Sequence, residues 1–213
     1  MKKLLIFGLV GLAAASQASP VIFYGGDDNG VSDLAAQVGG LDSRVYDNFT
    51  LTSAMTIDGV FGNYTDVSSG NSSSVYWEIR SGISTGNGGT LLFGGTNAGT
   101  RTPVGTLFNY SASIAPINLT AGNYFLMVAV SGADGQTWVK TTSGANGVGG
   151  PLNDDNSFWD STTFGQAFQP VSGFFGASTD FSMGLTGSSS VPEPASFAVL
   201  GLGAVALIRR RRK

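Results

Sequence analysis

The chain has 213 residues, of which 12% are charged, 11% aromatic and 42% hydrophobic, and it contains neither cysteine nor histidine. That length suits one domain with appendages, and the apolar content can fill a core, which excludes a charge-rich disordered chain. The two zeros exclude disulfides, thiolate and imidazole metal sites, and every mechanism built on a Ser-His-Asp triad or an H-E-x-x-H zinc pair.

The formal net charge of −3 hides an uneven distribution. Both ends are basic, whereas residues 19–190 carry thirteen carboxylates against Arg44, Arg80, Arg101 and Lys140, a net charge of −9. Such a body repels nucleic acid and anionic lipid but can attract divalent cations, so no polynucleotide partner is expected.

Residues 1–18 predict a secretory signal peptide. Lys2 and Lys3 open it, Leu4 to Ala15 is a short apolar run, and Ser16-Gln17-Ala18 places small residues at the positions read for cleavage, giving a cut between Ala18 and Ser19. The body, 19–186, reads as all-β. Short alternating apolar runs are separated by Gly, Asn and Ser clusters, and helix-period runs are nearly absent.

In chain order, strands are expected at 21–24, from Phe49 and Leu51 continuing into Met55 and Ile57, and at 58–64. Further strands are expected at 75–80, 90–93, 104–112, 124–130, 136–142, 164–168 and 181–186. A short helix is expected over 31–38, capped by Ser32. Val75, Trp77 and Ile79 point to one side of their strand, with Tyr76, Glu78 and Arg80 on a polar face opposite. Phe181, Met183 and Leu185 alternate against Asp180, Ser182 and Thr186. Tyr124 to Val130 is apolar on both faces, as in a central buried strand. Residues 143–160 read as one long loop. The set predicts an antiparallel β-sandwich, jelly-roll-like, with Phe49, Leu51, Ile57, Trp77, Ile79, Leu126, Val128 and Met183 inside.

After the body, Gly187 to Ser190 reads as the start of a linker, 187–194, that includes Val191-Pro192-Glu193-Pro194. Fourteen uncharged residues follow, Ala195 to Ile208, then Arg209 to Lys213. As a helix the apolar run reaches about 21 Å against a hydrocarbon core of ~30 Å. Snorkelling arginines can close that gap, which makes 195–208 a short transmembrane helix and 209–213 a basic cytoplasmic tail.

These parts, in this order, resemble the PEP-CTERM sorting signal of Gram-negative bacteria. The resemblance implies that Pro192, Glu193 and Pro194 are read by a membrane peptidase, exosortase, which cuts near the motif and passes the chain to the cell envelope or extracellular matrix. Asp27-Asp28-Asn29-Gly30, Asp47-Asn48-Phe49-Thr50-Leu51-Thr52 and Leu119-Thr120-Ala121-Gly122-Asn123-Tyr124 also resemble segments of the β-rich exported domains found ahead of such tails. That second likeness implies a fold class and no activity.

Within the body, two acidic knots are candidates for Ca²⁺, which takes six to eight oxygen ligands. One is Asp27, Asp28 and Asn29; the other is Asp154, Asp155 and Asn156, with Asp160. Neither fits a D-x-[DN]-x-[DN]-G loop, and the competing reading is that these residues bond their own backbone in turns. Trp138, Phe158 and Trp159 are candidate stacking platforms for a sugar, against a reading in which Phe158 and Trp159 pin the long loop to the sandwich. Glu78 is the only Glu of the body, too little for a two-carboxylate glycosidase, so no catalytic residue and no enzyme is expected. The expectation is an exported structural or biofilm-associated surface protein with no obligatory cofactor, and the alternative a glycan-binding module, with or without Ca²⁺, that takes extracellular polysaccharide as partner.

Overall fold

Alternation of apolar with polar residues between Gly- and Asn-rich turns produces strands almost everywhere. The computed structural model describes residues 18–67, 74–132, 134–175 and 179–190. Most of the expected signal peptide, and the tail with the expected 195–208 span and the basic end, lie outside the described residues. Among the described residues no helix is long and apolar enough to cross a membrane.

Among the described residues, fifteen strands form two sheets. The first sheet holds β1 (Val21–Tyr24), β2 (Asp28–Ala35), β5 (Met55–Asp66), β8 (Thr100–Val104), β9 (Leu107–Leu119), β11 (Thr137–Thr142), β14 (Asp180–Phe181) and β15 (Met183–Ser189). The second holds β3 (Gln37–Val38), β4 (Ser43–Leu51), β6 (Ser74–Ser81), β7 (Thr90–Ala98), β10 (Gly122–Ser131), β12 (Ser157–Ser161) and β13 (Gln166–Pro170). One short helix, α1 (Ser172–Phe175), follows β13.

Strand β5 organises the first sheet. One edge pairs with β9, while the other pairs with β15 from Met55 to Gly62 and then with β11 from Tyr64 to Asp66. In the second sheet β4, β10, β6 and β7 lie side by side, antiparallel, and β12 continues from β4 to β13. The one parallel pairing among the named strands is β3 on the end of β10, so the second sheet is mixed rather than purely antiparallel.

The sheets pack face to face. All eight residues expected inside are buried, Trp77 at 5% exposure being the least so, and they share one cluster with Phe23, Tyr64, Tyr110 and Phe181. The rings of Phe23 and Phe49, one from each sheet, lie 5.3 Å apart across the interior. Strand β10 feeds two clusters. Leu126, Val128 and Val130 enter the main core, whereas Phe125, Met127 and Ala129 join Tyr46, Ile83 and Phe158 in a smaller cluster on the other face.

Several expectations are corrected. Residues 31–38 form β2 and β3 rather than a helix: Leu34 pairs with Val139 and Ala35 with Trp138. An eight-residue helix is marginal in water, and ladder bonds with burial of Leu34, Ala35 and Ala36 win instead. Phe49 and Ile57 belong to different sheets, because the chain turns at Thr52-Ser53. The 104–112 run is a hairpin, β8 to β9, whose two-residue loop is Gly105-Thr106, with Gly105 at φ 62°. The long loop ends early, since 157–161 is β12 on the edge of β4. Strand β15 runs through Ser189, so Gly187 to Ser189 pair with β5 rather than starting a linker. Asp180 and Ser182 are buried like Phe181 and Met183, because both faces of that strand are covered there.

Candidate functional site

The two acidic knots have different fates. In the first, each of the three candidate side chains accepts at least one hydrogen bond. Asp27 accepts from the Tyr24 hydroxyl at 2.9 Å and from Asn146 Nδ2 at 2.7 Å. Burial, with Asp27 alongside, pushes the Tyr24 phenol up to about 12. Asp28 accepts from the Gly30 amide at 3.0 Å and faces Lys140 at 3.7 Å. Asn29 Oδ1 accepts from the Val31 amide and the Thr141 hydroxyl. These are turn and ladder contacts, the competing reading of the sequence.

The second knot is split. Asp160 turns to Arg44, 3.7 Å away, and leaves the group. Asp154 and Asp155 instead meet three residues that the sequence did not offer as ligands: Asp47, Asn48 and Asp180. Segment 143–156 passes along the edge of β4 beyond the end of β12, where the Thr50 amide donates to the Gly150 carbonyl at 2.7 Å. Asp180 of β14, in the other sheet, accepts from the backbone amides of Asn153 and of Asp154, the latter at 3.3 Å. Asp47 takes the Phe181 amide at 2.7 Å and the Asn48 amide at 3.0 Å. Asn48 Nδ2 donates to Asp154 Oδ2 at 2.9 Å. The group therefore sits on the seam between the sheets, where the loop closes over it.

The seam's electrostatics are unusual. Asp47 is 1% exposed, Asp180 2% and Asn48 8%. Burial first, then the neighbouring Asp180 and Asp154 charges, pushes the Asp47 carboxyl well above the usual carboxylate range. Asp180 is raised as well, by burial and then by Asp154, against the backbone amides that favour its anion. Three acceptors here, Asn48 Oδ1, Asp155 Oδ1 and Asp180 Oδ1, are buried without a hydrogen-bond partner. No described cation reaches them. Arg44 pairs with Asp42 and Asp160, Arg80 with Glu78, Arg101 with Asp66, and Lys140 with Asp28 and Asp33. Among the described residues no three Asp, Glu, His or Cys side chains form a metal cluster by themselves, so any cation here needs amide and main-chain oxygens too.

The aromatic candidates are not open platforms. Phe158 is 7% exposed and meets Phe125 edge-on at 5.7 Å, and Trp159, 8% exposed, donates its indole N–H to Ser43 Oγ at 2.7 Å. Strand β12 buries both, on opposite sides of the second sheet. Trp138 is half-buried, and Lys140, which shares its face, is itself covered. Among the described residues, the exposed rings are Phe164 and Phe174, each 5.3 Å from Trp159. Phe174 borders a surface cleft of about 470 Å³ shared with Gln166, Gln169, Pro170 and Ser172.

Glu78, expected on the polar face of its strand, is buried. It is 3% exposed and accepts from the Tyr46 hydroxyl at 2.9 Å, the Tyr76 hydroxyl at 2.6 Å and Arg80 Nε at 2.5 Å. Burial alone would raise its pKa, but the bonds from Arg80, Tyr76 and Tyr46 outweigh it and hold the carboxyl below its usual value.

Residues 190–213 match the family model of the PEP-CTERM protein-sorting motif. The match takes in Pro192, Glu193, Pro194, the apolar run and the basic end. The chain therefore carries a PEP-CTERM sorting motif, a tail that exosortase recognises, which implies export, membrane anchoring before processing, and sorting to the cell surface. Among curated proteins no match to the chain is found.

Proposed function

We propose that this chain is a non-enzymatic structural component of the cell envelope or extracellular matrix, presented at the surface by its sorting tail. The observation that carries the reading is the motif at 190–213 behind an all-β body. Signal cleavage between Ala18 and Ser19, and membrane anchoring through 195–208 before exosortase acts, complete the route. The body is a jelly roll in this reading. It is supported by the neighbour orders β1-β15-β5-β9 and β4-β10-β6-β7 in the two facing sheets, and by repeated crossings between them. A structural role is further supported by Glu78, the body's only Glu, whose carboxylate is held by three protein donors. The test is fractionation of the producing host and of a strain lacking this protein. Co-purification with the matrix, and a weaker matrix in the deletion strain, are expected. A protein recovered free in the medium, with an unchanged matrix in the deletion strain, would overturn it.

One observation favours a second reading, glycan binding: the cleft beside Phe174, where an exposed ring and the amides of Gln166 and Gln169 could meet a sugar's C–H face and hydroxyls. Retention on polysaccharide beads that is lost on Phe174→Ala would favour it over a purely structural role.

A further inference from the structure

We infer that the seam between the two sheets is a calcium site, with Asn48 Oδ1, Asp155 Oδ1 and Asp180 Oδ1 as ligands and Asp47 and Asp154 adding charge. Three independent observations meet there. The first is chemical: three buried oxygens, all acceptors, have no donor in the protein. Native proteins seldom leave such atoms unpartnered, and a cation is one of the few species that satisfies three acceptors at once. The amide of Asn48, 8% exposed, is the informative one. Its nitrogen is committed to Asp154, which fixes its oxygen as an acceptor within the same group.

The second is charge. Asp47, Asp154 and Asp180 are drawn together by the Phe181–Asp47, Asn48–Asp154 and Asp154–Asp180 hydrogen bonds, and every Arg and Lys of the described body is engaged elsewhere. The missing positive charge must come from outside the protein if the group is ionised. The third is architectural. The loop at 153–155 is already drawn onto Asp180 by its own amides, with Asn153 and Asp155 at positive φ of 56° and 64°. A cation at this point would tie the loop to β4 in one sheet and β14 in the other.

Carboxylate and amide oxygens suit Ca²⁺, which accepts irregular shells of six to eight oxygens. They suit zinc poorly, because it wants nitrogen or sulfur, and magnesium poorly, because it demands a strict octahedron. An exported protein meets Ca²⁺ where it is plentiful, and extracellular sites bind it at about 10⁻⁴–10⁻³ M.

Titration calorimetry and thermal melting of the chelator-stripped full chain in detergent, with Ca²⁺ and with Mg²⁺ at equal ionic strength, test the assignment. One Ca²⁺ per chain in that affinity range is expected, with a higher melting temperature than in Mg²⁺. Asp180→Asn should weaken binding at least tenfold, whereas Asp27→Asn, in the satisfied turn, should bind as the parent does. Asp155→Asn lies on the half-exposed loop and serves if Asp180→Asn does not fold; it too should weaken binding. No Ca²⁺ heat and identical melting in both salts would overturn the site, as would parental affinity in Asp155→Asn or loss of binding in Asp27→Asn.

Discussion

Asp47 shares the inward face of β4 with Val45, Phe49 and Leu51, so at that one position the alternation delivers a carboxyl to the interior. The consequence is a pH dependence of definite sign. Asp47 and Asp180 both have folded pKa values above the ordinary 3.8. A carboxyl raised on folding binds its proton more tightly in the native state. Its stabilisation is complete below the unfolded pKa and is lost as pH climbs through the folded one. In chelator, urea unfolding should therefore show a more stable protein near pH 5 than near pH 8. Asp180→Asn should flatten that slope. A rise in stability over the same interval would contradict the assignment of these two groups. Glu78 runs the other way, since its lowered value adds stability that disappears only in stronger acid. Trp77 gives the apolar counterpart. It is 5% exposed, and its indole N–H donates to Asn97 Oδ1 at 2.9 Å. Trp77→Ala should cost about 3–5 kcal/mol by denaturant unfolding, the usual range for a buried large aromatic. A cost under about 1 kcal/mol would move the ring out of the core.

At the scale of elements, strands with one covered face or two were legible, and their partners were not. The alternation of Val75, Trp77 and Ile79 named the inward side of β6, and the unbroken apolar run of Tyr124 to Val130 named a central strand. What misled was the other side of β6. Tyr76, Glu78 and Arg80 look solvent-facing by type, but loop 82–89 folds over them, with Arg80 donating to the Gly88 carbonyl at 3.0 Å and lying 5.7 Å from the Phe168 ring centre. No local pattern announces a lid contributed by a distant ring. The seam was half legible for the same reason. Asp154 and Asp155 stand out as neighbours in sequence, whereas Asp47 and Asp180 meet them only through pairing across 27 to 134 positions, as in the Phe181–Asp47 bond and the Asn153–Asp180 bond. An Asp in phase with three apolar residues was the available signal for Asp47. The β8–β9 hairpin offers a clean test of turn chemistry. Gly105 is at φ 62° with nothing within 4 Å of where a Cβ would go, so only backbone conformation is at stake. Gly105→Val should cost about 1–2 kcal/mol, and Gly105→Asn clearly less, because Asn tolerates the left-handed region. Equal losses in thermal melts would point to a cause other than backbone strain.

For the whole molecule, the arrangement of the two ends bears on how the protein is delivered. Strand β1 pairs with β15, and the Gly187 amide donates to the Pro20 carbonyl at 3.0 Å. Ser19 hydrogen-bonds Asp58, which also accepts from Thr186 Oγ1 at 3.1 Å. Residues 18–20 and 187–189 therefore leave the sandwich side by side at one corner of the first sheet. The segment expected to be removed before Ser19 and the sorting tail after Ser190 attach at the same place. A precursor held by its tail keeps that corner toward the membrane, and the last strand is locked into the body up to Ser189, only a few residues before Pro192. In the proposed route the sorting peptidase reads Pro192, Glu193 and Pro194 just past that folded edge. Two outcomes follow for a host that carries the sorting peptidase. Intact mass of the surface protein should give a chain that starts at Ser19 and lacks most of residues 195–213. Replacement of Pro192, Glu193 and Pro194 by Ala should leave full-length precursor in the membrane fraction. Retention of Arg209 to Lys213 on the mature parent chain would refute cleavage while leaving the anchor intact. Normal release of the triple-Ala chain would show that the peptidase selects its substrate through the apolar run or the basic end instead.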